Sequence, residues 1–490
     1  MSLTKVSYSM ITGAPINVED YGAIGDGVTD NAAALQAAFD AGVYVVGAPG
    51  ATYKCNAQLN IQNKTFFLAD IKILFASNNG IVYTSNDSDT ILNVTNVGLY
   101  SASPATGTAL SAVWFQALGA GNGNCLFSNV KIENFGSSAN YWNTGINVTS
   151  GYNVLIDTCF IVNPSNIVNS PYGIKINGTS TTTTIQNCFI FKVGTAVLAE
   201  GFTYNIKVIN CEFTRVDIGV DFAYNNIQYG AILHVLDSKL FTLSYGVRGV
   251  NSIALSIMNN FFQKSVASSW VGVYLSQGTD VGAEVSESII SHNQFGNQYG
   301  ETNPGGGGPW EGIIIENNRV VTITENIFDS GSGTCINLLS TARECIVKNN
   351  TNLQSINFTI NDNKLSLIKD NYSVQTYGSS FAQENSVALV NPPSVKNIFG
   401  NYANGYVVLG NASGVMVNVA GFSNGIFWQT IHVRFVSSDI TLVNNTLATD
   451  SKLDLQGGVN YVPGVNAVVS FISVPSGDTI IWREFARRTP

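Results

Sequence analysis

The sequence has little charge: only 11% of its 490 residues are Asp, Glu, Lys or Arg. An ordinary soluble domain carries roughly 25%. Its hydrophobic content of 45% is ample for a large core, so the composition is not that of a disordered chain. The net charge is −9, and Lys and Arg form no cluster. Binding to nucleic acid or insertion into a membrane is therefore not expected.

Signals for several other classes of protein are also missing. No apolar run approaches the roughly 18 residues of a membrane span, and the start of the chain lacks the apolar core of a signal peptide. The seven cysteines form no CxxC pair, and the three histidines lie far apart. The sequence therefore predicts no zinc site, no required disulfide framework, no His-based nucleophilic triad and no cofactor.

A repeat dominates the middle of the sequence. An apolar residue, a spacer, Asn or Cys, and another apolar residue recur, as in Ile156-Asp-Thr-Cys159-Phe and Ile185-Gln-Asn-Cys188-Phe. The interval averages about 28 residues, which is typical of a solenoid built from short strands. The recurring position falls at Asn96, Asn129, Cys159, Cys188, Cys211, Ser238, Asn260, Asn293, Asn326, Asn350, Asn371 and Asn401.

A second repeat advances in step with the first. It consists of a small residue, an aliphatic residue and a variable residue, and it has one longer step that contains a glycine-rich insertion after residue 299. Two repeats in step predict a parallel β-helix, in which each coil adds one strand to each sheet. The copies are Gly145-Ile-Asn147, Gly173-Ile-Lys175, Ala196-Val-Leu198, Gly219-Val-Asp221, Gly246-Val-Arg248, Gly272-Val-Tyr274, Gly312-Ile-Ile314 and Cys335-Ile-Asn337.

The two ends of the chain differ from this repeat. An alanine-rich segment between Thr29 and Gly42 predicts a helix, capped by Thr29 or Asp30, that covers the first coil. Near residue 400 the repeat stops, and short alternating strands predict an antiparallel β-sandwich. We therefore divide the chain into a linker (1–15), the opening of the β-helix with its capping helix (16–95), the parallel β-helix (96–402) and the C-terminal β-sandwich (403–490).

Both ends resemble known proteins. The segment Ile16-Asn-Val-Glu-Asp-Tyr-Gly-Ala-Ile-Gly-Asp-Gly-Val-Thr-Asp-Asn-Ala-Ala-Ala-Leu-Gln36 resembles the opening of the pectate-lyase-like right-handed β-helix superfamily. The preceding Val6-Ser-Tyr-Ser-Met-Ile-Thr-Gly-Ala14 resembles the linker before that opening in bacteriophage tailspikes. The final Ile481-Trp-Arg-Glu-Phe-Ala-Arg487 is similar to the C-terminal sandwich of the same tailspikes.

The resemblance implies a homotrimeric phage tailspike depolymerase with an all-β fold. Such a protein sits in the virion, binds a bacterial capsular polysaccharide or O-antigen, and cleaves it during host adsorption. A typical tailspike has an N-terminal domain for attachment to the phage tail or baseplate, and little of one precedes Ile16. We therefore expect attachment through an adaptor or a longer natural chain. The fold alone does not decide the chemistry.

Candidate site residues follow from the second repeat. If its aliphatic residues face the core, the alternate residues face outward. Aromatic faces stack on sugar rings, and carboxylates beside them act as acid, base or nucleophile. The predicted outward set of charged and aromatic residues is Lys175, Glu200, Asp217, Asp221, Arg248, Trp270, Tyr274 and Trp310.

Within this set we assign Glu200 as the general acid and Asp221 as the base, with Asp217 in reserve. One coil and two residues separate Glu200 from Asp221, or roughly 8 Å between Cα atoms, so the carboxyl groups can form a glycosidase pair. Arg248, one coil further on, would hold Asp221 ionised. We expect Lys175, Arg248, Trp270, Tyr274 and Trp310 to bind the substrate.

Other interpretations remain open at this point. The Asp221–Arg248 pair has a purely structural alternative, and the tryptophans have one in packing. A polysaccharide lyase would use Lys175 or a tyrosine as base on a uronic-acid polymer, and an adhesin would hold the glycan without cutting it. Rival catalytic carboxylates are Glu212, Asp280, Glu284, Glu287, Glu301 and Glu311.

Overall fold

The structure is a computed structural model. It describes residues 14–76, 79–87, 89–102, 111–118, 123–135, 140–163, 171–223, 232–250, 254–265, 269–276, 288–297, 310–316, 320–329, 334–339, 342, 345–352, 357–360, 367–369, 372–373, 381–382, 385–389, 396–399, 405–411, 417–423, 430–435, 440–444, 451–476 and 479–489. The chain forms two compact units: residues 1–288 with 293–314, and residues 289–292 with 315–490.

The first unit opens with a cap. A short 3-10 helix, Val18–Tyr21, precedes the α-helix Ala32–Ala41, which confirms the predicted helix. Its N-cap is Asn31 rather than Thr29 or Asp30, although the Asp30 carboxylate accepts a hydrogen bond from the amide of Ala32 (3.1 Å). The helix residues Leu35, Ala38 and Phe39 are buried, so the apolar face of the helix covers the first coil.

Beyond the cap, the first unit winds through three parallel sheets, in the order B, C, A in each coil. Sheet A contains Leu59–Gln62, Ile81–Ser85, Ser111–Ala117, Thr144–Thr149, Tyr172–Asn177, Thr195–Glu200, Trp270–Ser276, Trp310–Glu316 and the second halves of Glu212–Ala223 and Lys239–Val250. Sheet B contains Ile16–Asn17, Tyr44–Val46, Asn124–Ser128, Asn153–Asp157, Thr179–Gln186, Phe202–Ile209, Ile232–Leu236, Ala254–Met258 and the first halves of Phe66–Phe75 and Ile91–Ser101.

Sheet C completes each coil. It contains Asp26–Asp30, Thr52–Cys55, Lys131–Asn134, Phe160–Val162, Phe189–Phe191, Phe261–Lys264, Gln294–Asn297 and the remaining halves of the four long strands. The long strands turn from one sheet into the next without interruption. The predicted all-β, right-handed parallel β-helix solenoid is thereby confirmed.

The first repeat is the turn between sheets B and C. One position there has a left-handed backbone, with φ of 53° at both Asn129 and Thr158, and the next residue points into the core. Cys159 belongs to the inward position, whereas Asn96 and Asn129 belong to the left-handed one. The predicted alignment of Asn129 with Cys159 is therefore wrong by one residue. Both positions accept Asn, so the sequence pattern does not separate them.

The second repeat contains a break in the alternation of side chains. A Cβ atom on Gly246 would lie 2.4 Å from the Gly272 carbonyl oxygen and 2.5 Å from the buried Phe262 ring. Gly246 and Val247 therefore both face the core, and only glycine permits this close approach. As a consequence Tyr245, and not Ser244, is the preceding outward residue.

All seven cysteines are buried thiols, and none is in a disulfide. Cys159, Cys188 and Cys211 occupy the inward position on successive coils, where a thiol acts as a small hydrophobe. Burial raises the pKa of Cys55 to about 11 and that of Cys335 to about 12.

The second unit has parallel coils of its own, followed by two further sheets. The coil strands are Val321–Thr324, Ile327–Asp329, Thr334–Leu338, Ile346–Lys348, Thr351–Asn352, Asn357–Ile360, Leu367–Lys369, Tyr372–Ser373 and the antiparallel Phe381–Ala382. The further sheets contain six strands (Asn385–Leu389, Gly405–Asn411, Thr430–Phe435, Val468–Ser476, Thr479–Arg488, Ser451–Asp454) and three strands (Lys396–Phe399, Val417–Ser423, Ile440–Leu442).

These two sheets share a core that includes Phe435, Leu442 and Trp482, as expected of a sandwich. The predicted antiparallel arrangement is wrong for most of their strands. Gly405–Asn411 pairs in parallel with both neighbours; only Val468–Ser476 has antiparallel partners on both sides. The predicted boundary at residue 403 stays a prediction.

Candidate functional site

Three columns of side chains point outward from sheet A. They follow from the register of successive coils and from the burial of the residues between them. The first column is Tyr172, Thr195, Ile218, Tyr245 and Val271; the second is Asn147, Lys175, Leu198, Asp221, Arg248 and Tyr274; the third includes Glu200, Val250 and Ser276.

Asp221 and Arg248 form a two-point ion pair on adjacent coils. Nε of Arg248 donates to Oδ1 of Asp221 (2.9 Å), and Nη2 donates to Oδ2 (2.5 Å). Bidentate pairs of this kind are among the strongest hydrogen bonds in proteins. The hydrogen bond to Asp221 raises the pKa of Arg248. The Asp221 side chain is only 6% exposed and that of Arg248 is 36% exposed, so the cation covers the anion.

A second ion pair lies beside the first. Nζ of Lys175 is 2.6 Å from Oε1 of Glu200, whose side chain is 35% exposed. Glu200 is therefore the carboxylate that a ligand reaches first. Sequence reasoning did not predict this pair, because Lys175 and Glu200 stand in different columns.

Both cations of these pairs lie over tyrosine rings. Nζ of Lys175 is 5.2 Å from the centroid of the Tyr172 ring, and the Arg248 guanidinium is 5.7 Å from that of Tyr245. The Tyr274 ring is 6.0 Å from the Tyr245 ring. Cation–π contacts fix both cations and leave a half-exposed aromatic surface next to the carboxylates.

The spacing of the two carboxylates follows the predicted register. Leu198 pairs with Asp221, and Glu200 pairs with Ala223. Asp221 is thus one coil on and two residues back, which corresponds to roughly 8 Å between the Cα atoms of Glu200 and Asp221. The face presents one nearly buried anion and one accessible carboxylate within reach of the same small ligand.

The prediction that the two tryptophans face outward is wrong. Trp270 and Trp310 are 1% and 2% exposed, and their rings stack on each other at 5.7 Å. Nε1 of Trp270 also donates to Oγ1 of Thr242 (2.8 Å). The break in alternation at glycine turns these positions inward, so no sugar ring has access to them.

Asp217 lies apart from the three columns. It falls at an irregular point of the register between Val216 and Ile218. Oγ of Ser244 donates to its carboxylate and, at 3.1 Å, to its backbone carbonyl.

Tyr172 and Tyr245 are the site residues that the sequence analysis did not predict. The recurring glycine was the signal for the change in alternation that exposes them.

The rival carboxylates lie elsewhere or outside the described residues. Glu212 is on the outer face of sheet C, 4.0 Å from Nζ of Lys239. Glu311 is in the strand Trp310–Glu316. The residues described do not include Asp280, Glu284, Glu287 or Glu301. Within the described ranges, no group of three or more His, Cys, Asp or Glu side chains is arranged to hold a metal ion. The described part also contains no helix long and apolar enough to span a membrane.

No protein family matches the sequence, and no curated protein is significantly similar to it. Similar solved structures include the A-module of a mannuronan C-5 epimerase from Azotobacter vinelandii, with 15% identity over 73% of this chain and 98% of that one (TM-score 0.54). Bacteriophage CBA120 tailspike protein 3 has 11% identity over 78% and 65% of the two chains (TM-score 0.45). A surface adhesin of Streptococcus pneumoniae has 13% identity over 95% and 99% (TM-score 0.44). At these identities the likeness concerns the fold alone, and that fold is a right-handed parallel β-helix.

Proposed function

We propose that the protein is a phage tailspike depolymerase, an endo-glycosidase that hydrolyses bacterial capsular polysaccharide or O-antigen during host adsorption. The observation that carries this proposal is the pair of ion pairs Lys175–Glu200 and Asp221–Arg248 on sheet A. They place four charged side chains on four successive coils, in a chain with 11% charged residues. Packing of the coils does not require such a concentration of charge.

The different surroundings of the two carboxylates support separate roles. Asp221, in its ion pair with Arg248, would act as the base that takes a proton from the water that attacks the anomeric carbon. A sugar that displaces Lys175 from Glu200 leaves that carboxyl free to take up a proton and donate it to the leaving oxygen. Hydrolysis of a glycosidic bond needs such a divided pair. Tyr274, Tyr245 and the two cations would bind the neighbouring sugar units.

The proposal includes a homotrimer in the virion. Residues 1–15 would connect it to the phage tail or baseplate, and the enzyme would act at the bacterial surface. Assembly would protect the open strand edges that end any β-helix.

A polysaccharide lyase is the second candidate, favoured by the cation–tyrosine contacts. Arg248 over Tyr245 would bind the carboxylate of a uronic-acid unit. Neutral Lys175, beside Tyr172, or a tyrosine would then remove the proton at C5 while the C4–O bond breaks. A non-catalytic adhesin is the third, favoured by the neutralisation of both carboxylates in ion pairs.

The masses of the products distinguish these functions. The protein is incubated with a panel of purified capsules and O-antigens, and the soluble fragments are analysed by mass spectrometry. We expect fragments that have each gained one water, the signature of hydrolysis. Fragments without the added water would make the enzyme a lyase. Intact glycans that remain bound to the protein would identify an adhesin.

A further inference from the structure

The outer face of sheet C in the first unit carries a continuous aromatic and basic surface, separate from the columns of sheet A. Its residues alternate with buried ones along the strands, except that Gln263 at its end is itself buried, and successive coils are in direct register. One column is Lys131, Phe160, Phe189, Glu212, Lys239 and Phe261; the next is Val162, Phe191, Thr214, Phe241 and Gln263.

The phenylalanines of this surface form a stack that remains partly open to solvent. The rings of Phe160 and Phe189 are 5.1 Å apart and nearly parallel, at 13°. Those of Phe189 and Phe191 are 6.3 Å apart, at 16°. Phe160 is 37% exposed. Lys131 lies over the Phe160 ring at 5.7 Å, so cations and apolar rings alternate on the surface.

Two more cations border the stack where sheet C turns toward sheet A. Lys192 and Arg215 occupy the same place on successive coils, because Phe191 pairs with Thr214 immediately before them. Both have a left-handed backbone, with φ of 56° and 54°, which such side chains seldom adopt. Their Cα atoms are about 4.8 Å apart in this register, so the two basic residues are neighbours on adjacent coils.

Two cations on this face, Lys192 and Arg215, differ from the cations on sheet A in their partners. Lys175 and Arg248 each contact a carboxylate, whereas among the described residues neither Lys192 nor Arg215 is in an ion pair. The surface as a whole has four basic residues (Lys131, Lys192, Arg215, Lys239) and two acidic ones (Glu133, Glu212). It therefore carries excess positive charge in a chain of net charge −9.

We infer that this face, comprising Phe160, Phe189, Phe191, Lys192 and Arg215, binds an anionic polysaccharide whose sugar units carry carboxylates. The cations would bind the carboxylates, and the rings would contact the apolar C–H faces of the sugars. From Lys131 to Phe261 the column makes five steps between coils, or about 24 Å, enough for several sugar units. This binding site would be separate from the proposed catalytic carboxylates Glu200 and Asp221, and it would raise the local concentration of glycan next to sheet A.

The test uses alginate, a polyuronate, as the probe and isothermal titration calorimetry as the measurement. We expect the double variant Lys192→Gln/Arg215→Gln to bind alginate at least about tenfold more weakly, equivalent to the loss of about 1.4 kcal/mol. A matched variant, Lys207→Gln/Lys348→Gln, removes the same charge from sheet B and from the second unit, outside this face, and should retain the affinity within about twofold. Raising the salt concentration should weaken binding by the wild type more than binding by the double variant.

Further variants distinguish this site from the proposed catalytic site, and a neutral glycan tests whether binding requires charge. Glu200→Gln/Asp221→Asn should bind alginate as the wild type does, whatever becomes of cleavage. Phe160→Leu should weaken alginate binding while leaving its unfolding temperature within a few degrees of the wild type. Neutral dextran should not bind.

Four results would overturn the inference. The first is that the wild type does not bind alginate. The second is that the control variant weakens alginate binding as much as the double variant does. The third is that the wild type binds double-stranded DNA as tightly as alginate while Phe160→Leu has no effect on binding. The fourth is dissociation of a wild-type trimer into monomers in the double variant, measured by light scattering, which would assign the face to contact between copies of the chain.

Discussion

Replacing Glu200 and Asp221 together by their amides, Glu200→Gln with Asp221→Asn, is expected to abolish cleavage of the glycan while binding remains. The amides keep the shape of both side chains but transfer no proton under catalytic conditions. Loss of general acid and base assistance costs about 10²–10⁴-fold for each group, so kcat/KM should fall by at least about a thousandfold. Release of reducing ends measures the rate, and glycan affinity is measured in parallel.

A matched control guards against a general effect of lost charge. Asp70→Asn with Asp237→Asn removes two carboxylates from exposed turn positions and should leave activity unchanged. Asp221→Asn also deprives Arg248 of its partner, so the unfolding temperature of each variant is recorded and activity is assayed well below it. Full activity in the folded Glu200→Gln/Asp221→Asn protein would contradict the site assignment.

Replacing Asn293 by Ala should lower the free energy of unfolding by about 3 kcal/mol or more. Asn293 is 1% exposed. Its Oδ1 accepts from the backbone amide of Asn260 (2.9 Å) and from Nδ2 of Asn260 (3.0 Å), and its Nδ2 donates to the Ile257 carbonyl (2.8 Å). Removing the amide leaves several buried polar groups without this partner, at about 1–3 kcal/mol each.

Urea unfolding followed by circular dichroism measures this loss. Asn153→Ala is the control, because Asn153 is exposed and its Nδ2 donates only a 3.2 Å hydrogen bond to Asn124. The control should lose less than about 1 kcal/mol. Equal losses in the two variants would show that the inward asparagines do not hold adjacent coils together.

The solenoid was predictable because each coil repeats the same inward positions. Cys159, Cys188 and Cys211 mark one such position directly in the sequence. The one-residue error at Asn129 arose because a left-handed turn residue and the inward residue after it both accept asparagine. Only the backbone conformation distinguishes the two.

The second column of the candidate site was also predictable, since simple alternation from the aliphatic core residues leads to Lys175, Asp221, Arg248 and Tyr274. The prediction failed for the residues that precede the glycine of the second repeat. There, two consecutive residues face inward, which exposes Tyr245 and buries Trp270. The direction of the strands in the two C-terminal sheets could not be predicted from the sequence pattern either, because it depends on how the strands are connected and not on their local sequence.

The most direct test of the central claim is a crystal structure of the Glu200→Gln/Asp221→Asn protein with an oligosaccharide released by the wild-type enzyme. We expect the glycan to lie across the coils of sheet A, in contact with Tyr245 and Tyr274, with a glycosidic oxygen within hydrogen-bonding distance of residue 200. A glycan bound only on sheet C, or at any surface remote from residues 200 and 221, would contradict the account.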